Sequence, residues 1–106
     1  MVRSITREEL KRKIDTEEDL VLIEVLTPAE YEREHIKGAI NIPLERVASE
    51  VKERFEPDRE IVVYCANSAC QASPTAAEKL DEIGFEKVYD YTEGKKDRKE
   101  AGYPME

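Results

Sequence analysis

Ile61-Val62-Val63-Tyr64-Cys65-Ala66-Asn67-Ser68-Ala69-Cys70-Gln71-Ala72-Ser73-Pro74 passes from an unbroken apolar run, through a loop of small and polar residues, into a helical pattern. An apolar run without alternation reads as a strand buried on both faces, as in a parallel sheet. Beyond the loop, Ala76, Ala77, Leu80 and Ile83 recur on one face of a helix that Gly84 ends. Cys65 therefore stands at a strand-to-helix turn. Loop amides and a helix N-terminus point partial positive charge at such a turn and favour the thiolate, the form of cysteine that attacks.

The same alternation extends outward in both directions. Upstream, Thr6 with Glu9 forms a capping-box pattern that predicts a short helix to about Ile14. Leu20 to Val25 reads as a second buried strand, and Thr27-Pro28 caps and starts a helix running to Glu34. Ala39 to Ile42 reads as a short strand, and Leu44, Val47, Ala48 and Val51 recur at helical spacing until Phe55-Glu56-Pro57-Asp58 turns the chain. Downstream, Val88 to Tyr91 is a last short strand, and a charged tail carrying Lys95-Lys96-Asp97-Arg98-Lys99-Glu100 predicts one more helix with a solvated basic face. Strands alternating with helices predict an α/β domain with a mainly parallel sheet and helices on both faces. Ligands of such sheets gather at the carboxyl ends of the strands.

Composition narrows the function classes. The 106 residues carry 25 acidic and 17 basic side chains, a net charge of −8, which argues against nucleic acid or an anionic membrane as a partner. No stretch is long and apolar enough to span a bilayer, and Met1-Val2-Arg3-Ser4 is no signal peptide, so the expectation is one domain over residues 1–106 in the cytoplasm. Asn41, Asn67 and Gln71 are the only side-chain amides in a chain that is 40% charged, a balance in keeping with a heat-adapted source. Both cysteines, Cys65 and Cys70, fall in one loop, where a disulfide spans little of the chain, so reactivity explains them better than stapling. Two cysteines and the single histidine, His35, are too few for a closed structural zinc site without carboxylates.

The energetics of the thiol say what the loop must supply. Bringing a free cysteine from ~8.5 to ~6.5 requires about 2.7 kcal/mol of preference for the thiolate. A helix terminus contributes roughly 0.3–1 kcal/mol and at best ~2. The remainder falls to the loop Ala66, Asn67, Ser68, Ala69, Cys70 and Gln71, the candidate substrate-binding segment, whose small side chains suit a ring of inward amides.

These residues resemble the rhodanese sulfurtransferases. Leu22-Ile23-Glu24-Val25, Pro28-Ala29-Glu30-Tyr31 and His35-Ile36-Lys37-Gly38-Ala39-Ile40-Asn41-Ile42-Pro43 are similar to the family's amino-terminal signature, with Glu24 where aspartate is usual. Ile61 to Cys65 resembles its nucleophile strand, and Glu100-Ala101-Gly102-Tyr103-Pro104 its carboxyl-terminal signature. The resemblance implies a five-stranded rhodanese-like sheet whose fourth strand ends in a catalytic cysteine, and it implies no metal or organic cofactor. It implies that Cys65 takes sulfane sulfur from a small donor or a protein persulfide, holds it as a persulfide, and delivers it to a thiol or another nucleophile. His35, within the signature, takes a structural hydrogen-bonding role.

The chain departs from the family pattern in three places. The loop after Cys65 is longer and has no arginine or lysine, Leu26 stands where an arginine is common, and Thr92 to Arg98 replaces paired glycines, an isoleucine and a tryptophan. The first two weaken the case for thiosulfate as donor, and the third predicts a looser carboxyl-terminal helix or an open partner surface. Cys70 either fills the space of the absent arginine or acts as a resolving thiol for Cys65. A non-catalytic binding module and a Cys65/Cys70 redox switch stand as alternatives to sulfur transfer. Phosphatase chemistry is disfavoured, because no arginine lies between Arg59 and Arg98 to clamp a phosphoryl group.

Overall fold

Apolar runs that sequence patterning assigns to doubly buried strands form the middle of one parallel sheet. A computed structural model describes residues 2–16 and 19–106. The elements run β1 (Val2–Ser4), α1 (Arg7–Asp15), β2 (Leu20–Glu24), α2 (Pro28–Arg33), β3 (Ile40–Asn41), α3 (Leu44–Arg54), β4 (Glu60–Tyr64), α4 (Ala72–Glu82), β5 (Lys87–Tyr91) and α5 (Gly94–Glu100). The strand order is β1-β5-β4-β2-β3, with every pairing parallel. β2 and β4 lie inside the sheet and are buried along nearly their whole length, which is why their sequences show no polar alternation.

Alternate residues of each strand serve opposite layers. Val21, Ile23, Val25, Ile61, Val63 and Val88 pack with Val47 and Val51 of α3 and Ala76, Ala77 and Leu80 of α4. Leu22, Val62, Tyr64 and Tyr91 pack with Leu10 of α1 and with Ile36 and Ala39. Helices thus cover both faces, as an α/β sheet of this type requires.

Local chemistry sets the helix starts. Thr6 accepts from the Glu9 amide at 3.1 Å while Glu9 accepts from the Thr6 amide at 3.0 Å, completing the capping box that the sequence predicts. Thr27 and Glu30 form a second box ahead of Pro28. Some boundaries differ from expectation. β1 was not anticipated, because its three residues at a sheet edge are mostly exposed and too short for a pattern. β3 is only Ile40–Asn41, and α4 begins at Ala72, ahead of the Ser73-Pro74 start expected.

Candidate active site

β4 ends at Tyr64, so the next residue, Cys65, leaves the sheet on the α3–α4 side at the carboxyl edge. Cys65 is fully buried. Of the loop residues expected to bind substrate, Ala66, Asn67 and Cys70 are half-buried, whereas Ser68, Ala69 and Gln71 are exposed. The loop is shaped mainly by Asn67. Its Oδ1 accepts from the Ala69 amide at 3.0 Å, and its carbonyl accepts from the Cys70 amide at 3.1 Å. Two of the amides expected to face the sulfur are therefore spent inside the loop. The amides of Ala72 and Ser73, in the first turn of α4, belong to the set that a helix leaves without an intrahelical acceptor.

The two cysteines are joined as a disulfide, with Cα atoms 6.4 Å apart. Cys70 thus touches Cys65 and also packs its side chain against the core, an arrangement in keeping with either sequence reading of this residue. On the far side of Cys65, Ser73 Oγ lies 3.5 Å from Sγ. Ser73 also neighbours the Asp90 carboxyl, whose Oδ2 accepts from Thr92 Oγ1 at 3.2 Å. Burial pushes the Asp90 carboxyl above the usual aspartate range, with Ser73 and Thr92 pulling back, and its Oδ1 has no hydrogen-bond partner among the described residues. Ser73 and Asp90 lay outside the sequence reading. The available signal was an aspartate in the core alternation of β5, two residues beyond Val88.

The backbone of the site is held by α5. The Lys95 amide donates to the Cys65 carbonyl and the Lys96 amide to the Ala66 carbonyl, both at 3.0 Å. Gly94 makes this approach feasible. A Cβ there would stand 2.6 Å from the Cys65 carbonyl oxygen, and the residue sits at φ +74°, where L side chains are rare. Gly94 alone admits the approach, and α5 is anchored rather than loose.

The solvated basic face expected for α5 is corrected at two positions. Lys95 Nζ turns inward, 3.3 and 3.2 Å from the two oxygens of fully buried Glu24, and donates to the carbonyls of Glu34 and Glu30 at 2.8 and 3.2 Å. Tyr64 donates to Glu24 Oε1 at 2.9 Å and accepts from the Ile36 amide at 3.1 Å. Burial raises the Glu24 carboxyl, with Tyr64 and Lys95 opposing that shift, and it drives the Tyr64 hydroxyl far up. Arg98 is buried, stacks its guanidinium over Tyr103 at 5.5 Å and donates to the Pro104 carbonyl at 3.3 Å. Glu24 was visible in the sequence as a carboxylate inside an apolar strand, and its partner was not. His35 keeps a structural role, stacking on Tyr31 at 3.8 Å and exchanging main-chain hydrogen bonds with Glu106.

Beside the loop opens a hollow of about 310 Å³ between Asn67, Ser68 and Ala69 and the α5 side chains Lys96 and Glu100, with Glu93 at its rim. Among the described residues no three His, Cys, Asp or Glu side chains converge as a metal site requires, and no helix is long and apolar enough to cross a membrane.

Known proteins share this fold. A solved rhodanese-related protein from Thermoplasma volcanium superposes with a TM-score of 0.82 at 29% identity, covering 98% of this chain and 97% of that one. An HTH-type transcriptional regulator of Mycobacterium tuberculosis is 36% identical over 103 residues, 97% of this chain and 44% of the regulator. A thiosulfate sulfurtransferase of Escherichia coli is 44% identical over 71 residues, 62% of each chain. The chain thus spans about half the length of the regulator and under two thirds of the sulfurtransferase. The Rhodanese-like domain family matches residues 6–101, so with its parallel sheet and its cysteine at the end of β4 the chain belongs to that family.

Proposed function

We propose that this protein is a sulfurtransferase that carries sulfane sulfur as a persulfide on Cys65. The observation carrying the proposal is the placement of Cys65. It is buried at the carboxyl end of β4, its carbonyl is fixed by the Lys95 amide, and its sulfur lies 3.5 Å from the Ser73 hydroxyl in the first turn of α4. The reaction begins from the reduced loop. The Cys65 thiolate attacks the outer sulfur of a persulfide donor, the donor's thiolate leaves with the bonding pair, and Cys65 keeps the outer sulfur. An acceptor thiolate then attacks that sulfur and releases the Cys65 thiolate. Ser73 and the free amides at the start of α4 favour the anion at each stage.

Charge around the loop favours one donor class. Glu93, Asp97 and Glu100 border the hollow with Lys96 the one basic side chain there among the described residues, and no cation lies between Cys65 and Ser73 in the sequence. A doubly negative inorganic donor such as thiosulfate brings both charges to the loop with its sulfur, whereas a low-molecular-weight or protein persulfide carries at most one negative charge on its reacting sulfurs. The test is intact-mass measurement of the reduced protein after exposure to glutathione persulfide or to thiosulfate. One added sulfur is expected with the persulfide, less with thiosulfate and none in Cys65→Ala. Absence of sulfur uptake from both donors would sink the proposal.

A further inference from the structure

The sulfur-carrier reading leaves one nucleophile unused, the second thiol of the loop. Cys65 and Cys70 are bonded with their Cα atoms 6.4 Å apart, within the roughly 4.4–6.8 Å span that a disulfide accepts. The bond closes only the loop itself, from Cys65 to Cys70. Nothing distant is stapled by it. Cys70 is half-buried where Cys65 is fully buried, so a reagent from solvent meets the Cys70 sulfur first.

Resting on that reading, we propose that Cys70 is a resolving thiol that ends the Cys65 persulfide by expelling its outer sulfur as hydrosulfide, making the protein a dithiol-driven sulfide-releasing enzyme as well as a carrier. The Cys70 thiol loses its proton to solvent, and its thiolate attacks Cys65 Sγ. A Cys70–Cys65 sulfur bond forms, the bond from Cys65 Sγ to the outer sulfur breaks, and the outer sulfur leaves with the electron pair. That sulfur is reduced, and the two cysteine thiols are oxidised to the disulfide. A dithiol reductant closes the cycle. Its thiolate attacks the accessible Cys70 sulfur, Cys65 leaves as the thiolate at the start of α4, and the reductant's second thiol frees Cys70 as the reductant becomes a disulfide. The direction of attack follows from exposure and from the better leaving group at the helix terminus.

Two thiols held in one loop react at an effective concentration that no solution thiol reaches. The loop is built for this approach, because Asn67 turns the chain back on itself by binding the Ala69 and Cys70 amides. Competition between Cys70 and an external acceptor then sets the product. An acceptor that docks quickly takes sulfane sulfur, and without one the sulfur leaves as hydrosulfide.

The experiment loads pre-reduced wild type, Cys70→Ser and Cys70→Ala with glutathione persulfide, removes the donor, and follows sulfide and intact mass with no thiol added. Wild type is expected to release one equivalent of sulfide while its mass falls to that of the disulfide form. The Cys70 variants should hold one extra sulfur and release sulfide at least about tenfold more slowly. Adding dithiothreitol should return wild type to a form that loads again. Wild type that keeps its extra sulfur as long as the variants do, or that releases sulfide with both thiols still open to alkylation, overturns the resolving role alone. Failure of all three proteins to take up sulfur overturns the carrier reading, and the resolving role with it.

Discussion

Tyr64 and Cys65 are neighbours in sequence and face opposite layers of the sheet, and the two sides of this one strand end are built differently. On the Tyr64 side, Glu24, Tyr64, Lys95 and the Ile36 amide form a buried network in which both Glu24 oxygens are bonded. On the Cys65 side the loop holds itself by Asn67 turns, main-chain bonds tie it to α5, and the two cysteines pack on the core. Lys95 joins the two, since its Nζ binds Glu24 while its amide binds the Cys65 carbonyl. The contrast teaches a division of labour. A satisfied polar network fixes where the strand and α5 meet, and the loop beside it, on which the proposed sulfur chemistry rests, has no such side-chain network of its own among the described residues.

The largest effect separates chemistry from support. Cys65→Ala should abolish sulfur uptake altogether while changing stability by no more than about 1–2 kcal/mol, because a small buried residue replaces another. Intact mass and urea denaturation of the reduced protein read the two quantities. A variant that still gained sulfur would move the nucleophile elsewhere.

The next effect breaks the support and leaves the thiol in place. Lys95→Met leaves Glu24, which is fully buried, without its cation and should cost about 3 kcal/mol. Adding Glu24→Gln removes the stranded charge and should recover part of that loss, a coupling that a double-mutant cycle in urea measures. Additive losses would show that the pair is not coupled. Gly94→Ala strikes the joint between the two sides. Its Cβ would meet the Cys65 carbonyl oxygen at 2.6 Å on a backbone at φ +74°, which should cost about 1–3 kcal/mol and slow sulfur uptake from outside the chemistry. An unchanged rate would show that the loop tolerates displacement from α5.

How much of this the sequence disclosed follows the same division. The strand and helix pattern was legible because burial on both faces erases polar alternation in Leu20–Glu24 and Glu60–Tyr64. Thr6 and Thr27 announced their helices through capping chemistry that acts over three residues. Cys65 was legible as the residue at the strand end. Lys95 was misread as a solvated lysine, since it is partnered across 71 positions by Glu24, and local charge patterning carries no information at that range. Arg98 was misread for the same reason, its burial depending on Tyr103 and Pro104 folding back over it. The need for glycine at Gly94 was not legible, because the carbonyl it must admit lies in a loop far earlier in the chain.

The smallest expected effect probes the core behind Cys65, where Asp90 meets Ser73. The folded protein holds the Asp90 carboxyl above its ordinary value of 3.8, chiefly through burial. The folded state therefore keeps this proton to higher pH than the unfolded chain does, and stability is lost as pH rises through the folded value. Glu24, also raised by burial, contributes in the same direction, so the wild-type curve alone mixes the two. Subtracting it from the curve of Asp90→Asn isolates Asp90. The variant's stability relative to wild type should rise with pH above the ordinary aspartate range and then level off, as read by urea denaturation at a series of pH values. A difference that falls with pH would mean that the Ser73 and Thr92 hydroxyls outweigh burial and hold Asp90 as the carboxylate. Ser73 would then be oriented by a permanent negative charge, which would disfavour the thiolate of Cys65 on its other side.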